Sequence, residues 1–140
     1  MVPAEVHVGK IRAAAAARHK PETFIMARTD ALAPLGHDEA LRRAELYLKA
    51  GADGVYIEAV ETVEQLQKVG QRLRGAALAT SILEGGGRTP WMDPNDLHAL
   101  GYTILLYPTT GQLPRDPRHP EGGQGPQGRS PDASRGVGHV

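Results

Sequence analysis

Apolar positions in this chain fall into short runs separated by longer amphipathic stretches. The runs Phe24 to Arg28, Gly54 to Ala59, Ala76 to Ile82 and Thr103 to Tyr107 are rich in apolar and β-branched residues and bounded by turn formers, so each predicts a strand. Between them the apolar spacing changes to three and four. Residues 3–18 predict a helix with Pro3 in its first turn, Val6, Ile11, Ala14 and Ala15 near one face, and Pro21 as its stop. Asp38 to Gly51 predicts a second, with Ala40, Leu41, Ala44, Tyr47 and Leu48 inward. Thr62 to Arg74 predicts a third, capped by Thr62, with Val63, Leu66, Val69 and Leu73 inward. Asp93 caps a short fourth helix that buries Leu97 and Leu100 and closes at Gly101.

The resulting order is αβαβαβαβ, with strands recurring every ~25–30 residues, the length of one βα unit. Strands connected this way are parallel. The fold class expected is α/β: a partial (β/α)8 barrel of about four units over residues 1–110, where a full barrel takes ~250 residues. Half a barrel leaves unpaired strand edges, one at the 24–28 side, and a tendency to self-pair. Residues 111–140 differ sharply. Twelve of these thirty are Gly or Pro and no period is visible, so a disordered tail is expected.

Composition narrows the function. Net charge is zero, which gives bulk electrostatics no hold on nucleic acid or a membrane surface. No cysteine is present, which excludes disulfides, thiolate metal sites and a cysteine nucleophile. Val2 to Lys10 has no secretory character and no apolar run reaches membrane-spanning length, so a cytoplasmic protein is expected.

Candidate chemistry sits where the strands end. The first run turns ionic at Arg28 and Asp30, before a loop holding Pro34 and Gly36, and the second at Glu58. Such charges are not tolerated mid-strand but can face a cavity at a carboxyl end, where a guanidinium pairs with a carboxylate or grips an anionic substrate. A structural ion pair among Arg28, Asp30 and Glu58 is the plain alternative. Asp30 fits best as a structural residue, an orienter of Arg28 or a loop cap. Gly85 to Gly87 offers a lid, a flexible turn or a weak phosphate cradle, lacking the P-loop spacing, and Trp91 is expected to pack under it. The six histidines show no ligand spacing and are expected at the surface, as is the pair Arg42-Arg43.

Several motifs in register resemble the isocitrate lyase/phosphoenolpyruvate mutase superfamily. They are Lys10 to Arg18, the Ala27-Arg28-Thr29-Asp30-Ala31 run, Arg43 to Tyr47 with Ala50 to Gly54 and Ile57-Glu58, the Glu84 to Pro90 run, and Leu100 to Tyr102 with Tyr107-Pro108. The resemblance covers about residues 3–110. It implies a Mg2+-dependent lyase or mutase of C–C or P–C bonds in small 2-hydroxy or α-keto acids, on a barrel that assembles as a homo-oligomer. By motif, Arg28 would contact the substrate carboxylate or the developing enolate, as the catalytic residue. Glu58 would orient substrate, Ser81 would stand where many members place a carboxylate-binding Asn, and Arg88 and Thr89 would lie beside that carboxylate. The family's Asp-rich metal run and Cys-Gly-His loop have no counterpart in this chain. The expectation is therefore a carboxyl-side fragment, inactive by itself, without a metal site and holding no Mg2+ tightly. A non-catalytic remnant or interaction piece is the alternative, and an unrelated barrel binding a phosphorylated ligand at Gly85 to Gly87 a more distant one.

Overall fold

A computed structural model of the chain describes residues 1–82 and 88–108. The Glu84 to Gly87 loop and the tail expected over 111–140 lie outside the described residues. In order, the elements are α1 (Ala4–Ala16), β1 (Met26–Thr29), α2 (Leu32–Leu35), α3 (His37–Lys49), β2 (Gly54–Ile57), α4 (Val63–Arg72), β3 (Ala77–Ser81), α5 (Pro94–Ala99) and β4 (Tyr102–Leu106). The strands form one parallel sheet in the order β1-β2-β3-β4. This is the alternating βα architecture the period implies.

The strands sort their side chains by alternation. Ala27, Val55, Ile57, Leu78 and Ile82 join one buried cluster with Ile11, Tyr47, Leu66, Val69, Leu97 and Tyr102. Arg28, Tyr56, Ala79 and Ile104 are in register across the opposite face. A register shift between Leu78 and Ala79 lets β4 realign, so that Ala79 pairs Ile104 and Ser81 pairs Leu106.

The helix ends follow local chemistry. Thr62 Oγ1 accepts from Gln65 N at 3.2 Å, and Gln65 Oε1 accepts from Glu61 N at 2.8 Å, a reciprocal cap. Asp93 Oδ1 accepts from Asn95 N at 2.8 Å with Pro94 opening α5. Gly101, at φ 100°, ends it in a conformation that favours glycine.

Four expectations are corrected here. Val6 and Ala14 of α1 are exposed, while Ala4 and Ile11 are buried and Ala15 meets Gly51. An alanine-rich helix offers too little contrast for its inner face to be read. The segment after Asp30 is not a plain loop, because Leu32 to Leu35 makes one helical turn that buries Leu32. Arg43 is not part of a solvated face. It is 7% exposed, bonded to Glu39 and to Val2 O, and so ties the start of α1 to α3, whereas Arg42 is exposed. The histidines divide too: His19 and His98 are exposed, but His7 is half-buried with its ring 4.6 Å from that of Tyr47, and His37 is half-buried. His119 and His139 lie outside the described residues.

Two outcomes follow from the packing. A Cβ on Gly70 would come within 1.9 Å of the Leu100 carbonyl oxygen, a backbone atom that cannot rotate away. Gly70→Ala should therefore destabilise the chain by about 2 kcal/mol or more, read as a lower denaturant midpoint. Among the described residues β1 and β4 each pair on one side only, which leaves two open edges. Sedimentation of the purified chain should show self-association that grows with concentration; a monodisperse monomer that melts cooperatively would contradict it.

Candidate functional site

The carboxyl ends of β1, β2 and β3 converge on one group of polar side chains. β1 delivers Arg28, and β2 ends one residue before Glu58. The Glu58 N–H continues the parallel ladder by donating to Thr29 O at 2.9 Å, so its backbone is fixed against β1. Thr29 Oγ1 accepts from Ala31 N at 3.3 Å and turns the chain away after Asp30.

Arg28 reaches two carboxylates. Its Nη2 lies 3.0 Å from Glu58 Oε2 and 2.8 Å from Asp30 Oδ1, while its Nε donates to the same Asp30 oxygen at 3.1 Å. The hydrogen bond to Asp30 is the main reason the guanidinium pKa lies above its ordinary value, with the charges of Glu58 and Asp30 adding to it. Ala59, directly after Glu58, adopts φ 63°, the left-handed region that a residue with a Cβ rarely occupies. Strain of this kind is retained where the surrounding structure enforces it, often beside a functional group.

Four of the five residues singled out from the sequence fall together. Glu58, Ser81, Arg88 and Thr89, with Ala59, line one cavity of about 190 Å³. Arg28 joins them through Glu58, but lines a neighbouring cavity of about 250 Å³ with Thr29, Asp30, His7, Arg43 and Tyr47. Arg28 and Glu58 are thus in contact but do not line one cavity. Arg88 Nη1 lies 3.4 Å from Glu61 Oε1, a long pair between exposed groups that holds Arg88 only loosely. Asp30 acts on Arg28, as its place two residues on suggested. Trp91 is 68% exposed rather than packed, and the loop it was expected to underlie is outside the described residues.

Two participants went unnoticed in the sequence. Tyr56 carries the Arg28 guanidinium over its ring at 5.3 Å and donates from its hydroxyl to Ser81 Oγ at 3.0 Å. Burial is the main reason its phenol pKa is raised; Glu58 adds to this, and Ser81 and Arg28 oppose it. Counting back two from Glu58 would have found Tyr56, since alternate strand residues share a face. Glu61, the partner of Arg88, carried no signal because its role depends on a loop path.

Chemically, Arg88 with the hydroxyls of Ser81 and Thr89 offers a carboxylate its charge complement and donors. Glu58 offers an acceptor to a substrate hydroxyl, and Arg28 a cation beside it. A magnesium ion is a poorer match. Among the described residues no group of three or more His, Asp or Glu is placed to hold a metal, and the acids at the site are each engaged by an arginine, Asp30 and Glu58 by Arg28 and Glu61 by Arg88.

Parallel βα units with a polar carboxyl rim define the class as an α/β domain of the barrel type. Comparison with known proteins makes this particular. The phosphoenolpyruvate phosphomutase family matches residues 1–111. The 2,3-dimethylmalate lyase of Eubacterium barkeri is 45% identical over 109 residues, covering 78% of this chain and 37% of that protein. A crystal structure of 2,3-dimethylmalate lyase superposes with a TM-score of 0.72 at 31% identity, covering 78% of this chain and 39% of that one. A crystal structure of phosphonopyruvate hydrolase complexed with oxalate and Mg2+ gives 0.65 at 32% identity, over 76% and 38%. The chain belongs to the phosphoenolpyruvate mutase/isocitrate lyase superfamily, and spans between a third and two fifths of the length of these relatives.

The ion pairs carry a pH dependence. Bonds from Arg42 and then Arg43 hold the Glu39 carboxyl down at about 2, below its ordinary 4.5. A depressed carboxyl stabilises the fold above its unfolded pKa and loses that contribution as it protonates in the native state. Stability should therefore fall as pH drops from about 4.5 towards 2, and Glu39→Gln should flatten that slope in denaturant titrations run across the window.

Proposed function

We propose that this chain forms the substrate-orienting, carboxyl-side part of a lyase or mutase acting on small 2-hydroxy or α-keto carboxylic acids. The observation that carries the reading is the Arg28–Glu58 pair at 3.0 Å beside the cavity that gathers Ser81, Arg88 and Thr89. In this reading Arg88, Ser81 and Thr89 receive a substrate carboxylate, and Glu58 accepts from the substrate hydroxyl and fixes its angle. Arg28 faces the oxygen that becomes negative as a bond to carbon or phosphorus breaks. A fixed cation there favours the transition state over the ground state.

Magnesium belongs to the phosphonopyruvate hydrolase complex, and in such an enzyme it would supply Lewis-acid stabilisation of the same developing charge. The described residues do not make its donor set, so oxygen ligands from outside them would have to complete it. The isolated chain is accordingly read as a fragment without turnover. A small carboxylic acid is its partner. Its neutral net charge gives nucleic acid no footing, and no described helix is long and apolar enough to cross a membrane. A cytoplasmic location and a homo-oligomeric assembly complete the proposal. The open β1 and β4 edges favour, as a second reading, a non-catalytic piece that acts by association.

Calorimetry of the purified chain against oxalate and malate, with and without Mg2+, tests both. Oxalate should bind weakly without the metal, and Arg88→Ala should reduce its affinity about tenfold, as loss of a charge-assisted bond does. No Mg2+-dependent cleavage of isocitrate or 2-methylisocitrate is expected. Turnover abolished by Arg28→Ala would overturn the inactive-fragment reading, and oxalate binding indifferent to Arg88 would overturn the site.

A further inference from the structure

Tyr56 stands between the two arms of the site. Parallel pairing sets it opposite Arg28 on β1 and Ala79 on β3, and it is 8% exposed, so the ring has little freedom. One face of the ring meets the guanidinium carbon of Arg28 at 5.3 Å. The hydroxyl donates to Ser81 Oγ at 3.0 Å. A serine hydroxyl has one hydrogen and two lone pairs. Once Tyr56 fills a lone pair, Ser81's own hydrogen is free for another acceptor. Ser81 lines the cavity that also holds Arg88 and Thr89, and an anionic oxygen there is the acceptor of suitable charge.

We propose that Tyr56 is a positioning residue: its ring seats the Arg28 guanidinium, and its hydroxyl turns the Ser81 O–H towards a carboxylate in the cavity. Phenylalanine would keep the first task and lose the second; leucine would lose both. The residue thus joins the cation on β1 to the Ser81 hydroxyl on β3, two groups that share no direct bond. The second task rests on the carboxylate reading of the cavity given above, and the first stands without it.

The test uses the whole 140-residue chain and the variants Tyr56→Phe, Tyr56→Leu, Ser81→Ala and the double Tyr56→Phe/Ser81→Ala. Without ligand, the Arg28 side-chain proton resonances should be shifted upfield by the ring in the natural chain and in Tyr56→Phe, and released in Tyr56→Leu. With oxalate as the probe, Tyr56→Phe and Ser81→Ala should each weaken binding roughly tenfold, and the double variant should be no weaker than Ser81→Ala alone. Arg28 resonances indifferent to Tyr56→Leu would overturn the seating role. Oxalate binding unchanged in Tyr56→Phe, or losses that add in the double variant, would overturn the turning role. Should the natural chain fail to bind oxalate, the carboxylate reading falls and the turning role with it, while the Arg28 resonances in Tyr56→Leu still decide the seating role.

Discussion

The parallel register of β1 on β2 is the constraint from which the site follows, and a single carboxylate at the amino-terminal rim secures it. Asp53 Oδ2 accepts from Ile25 N at 2.8 Å and from Arg18 Nη2 at 2.6 Å, while Asp53 Oδ1 takes Arg18 Nη1 at 3.3 Å. The Asp53 N–H returns to Ile25 O at 2.9 Å. The bond from Ile25 is the main reason this carboxyl lies below its ordinary pKa. Met26 consequently pairs Gly54, Arg28 pairs Tyr56, and Glu58 emerges one residue beyond the last pair, beside Thr29. A slip of one residue would send Arg28 into the apolar cluster and Ala27 to the opposite face. The burial cost of an unpaired guanidinium makes that alternative expensive. The clamp at one rim and the charge at the other enforce the same register.

What the ion pairs at the carboxyl rim contribute is geometry more than stability. The Arg28 and Asp30 side chains are both more than half exposed, and exposed pairs are worth little. Their use is that Arg28 has two acids and needs only one. Asp30, two residues on in the chain and open to solvent, can give way to an incoming anion. Glu58, whose backbone is bonded to Thr29, keeps its place. The cluster is formally negative as it stands, so an anionic ligand is favoured at Arg88 before Arg28. Charge brought by a cation from elsewhere would alter that order.

Most of the architecture was legible because the chain is locally consistent. Thr62, Asp93 and Gly101 do at the helix ends what their types allow, and the four apolar runs are the four strands. The carboxyl-rim placement of Arg28 and Glu58 followed from where those runs turn polar, whereas Ser81 came only with the family resemblance. What could not be read depended on tertiary path. Arg43 is buried because Val2 O comes to meet it over forty residues away in the chain, a distance that composition cannot sense. The inner face of α1 was hidden by its run of alanines. Tyr56 was legible in principle, yet a tyrosine inside an apolar run reads as core, and it is core by exposure as well. Only the register with Arg28 and the reach to Ser81 reveal its second character.

The two rims use the same residue types to opposite ends. At the amino-terminal rim Arg18 is 22% exposed and meets one carboxylate through two nitrogens, and that carboxylate is further filled by a backbone N–H. Little in that arrangement can be exchanged, because displacing Asp53 would leave a half-buried guanidinium and a backbone donor unpaired. At the carboxyl rim Arg28 is 54% exposed, shared between two acids and supported from below by a ring that asks for no particular anion. Displacing Asp30 there leaves no buried donor without a partner, since Glu58 and solvent remain. A guanidinium that can change partners without penalty can serve a ligand, and one that cannot serves the fold. The difference lies in the number of competing acids and in solvent access, not in the arginine itself.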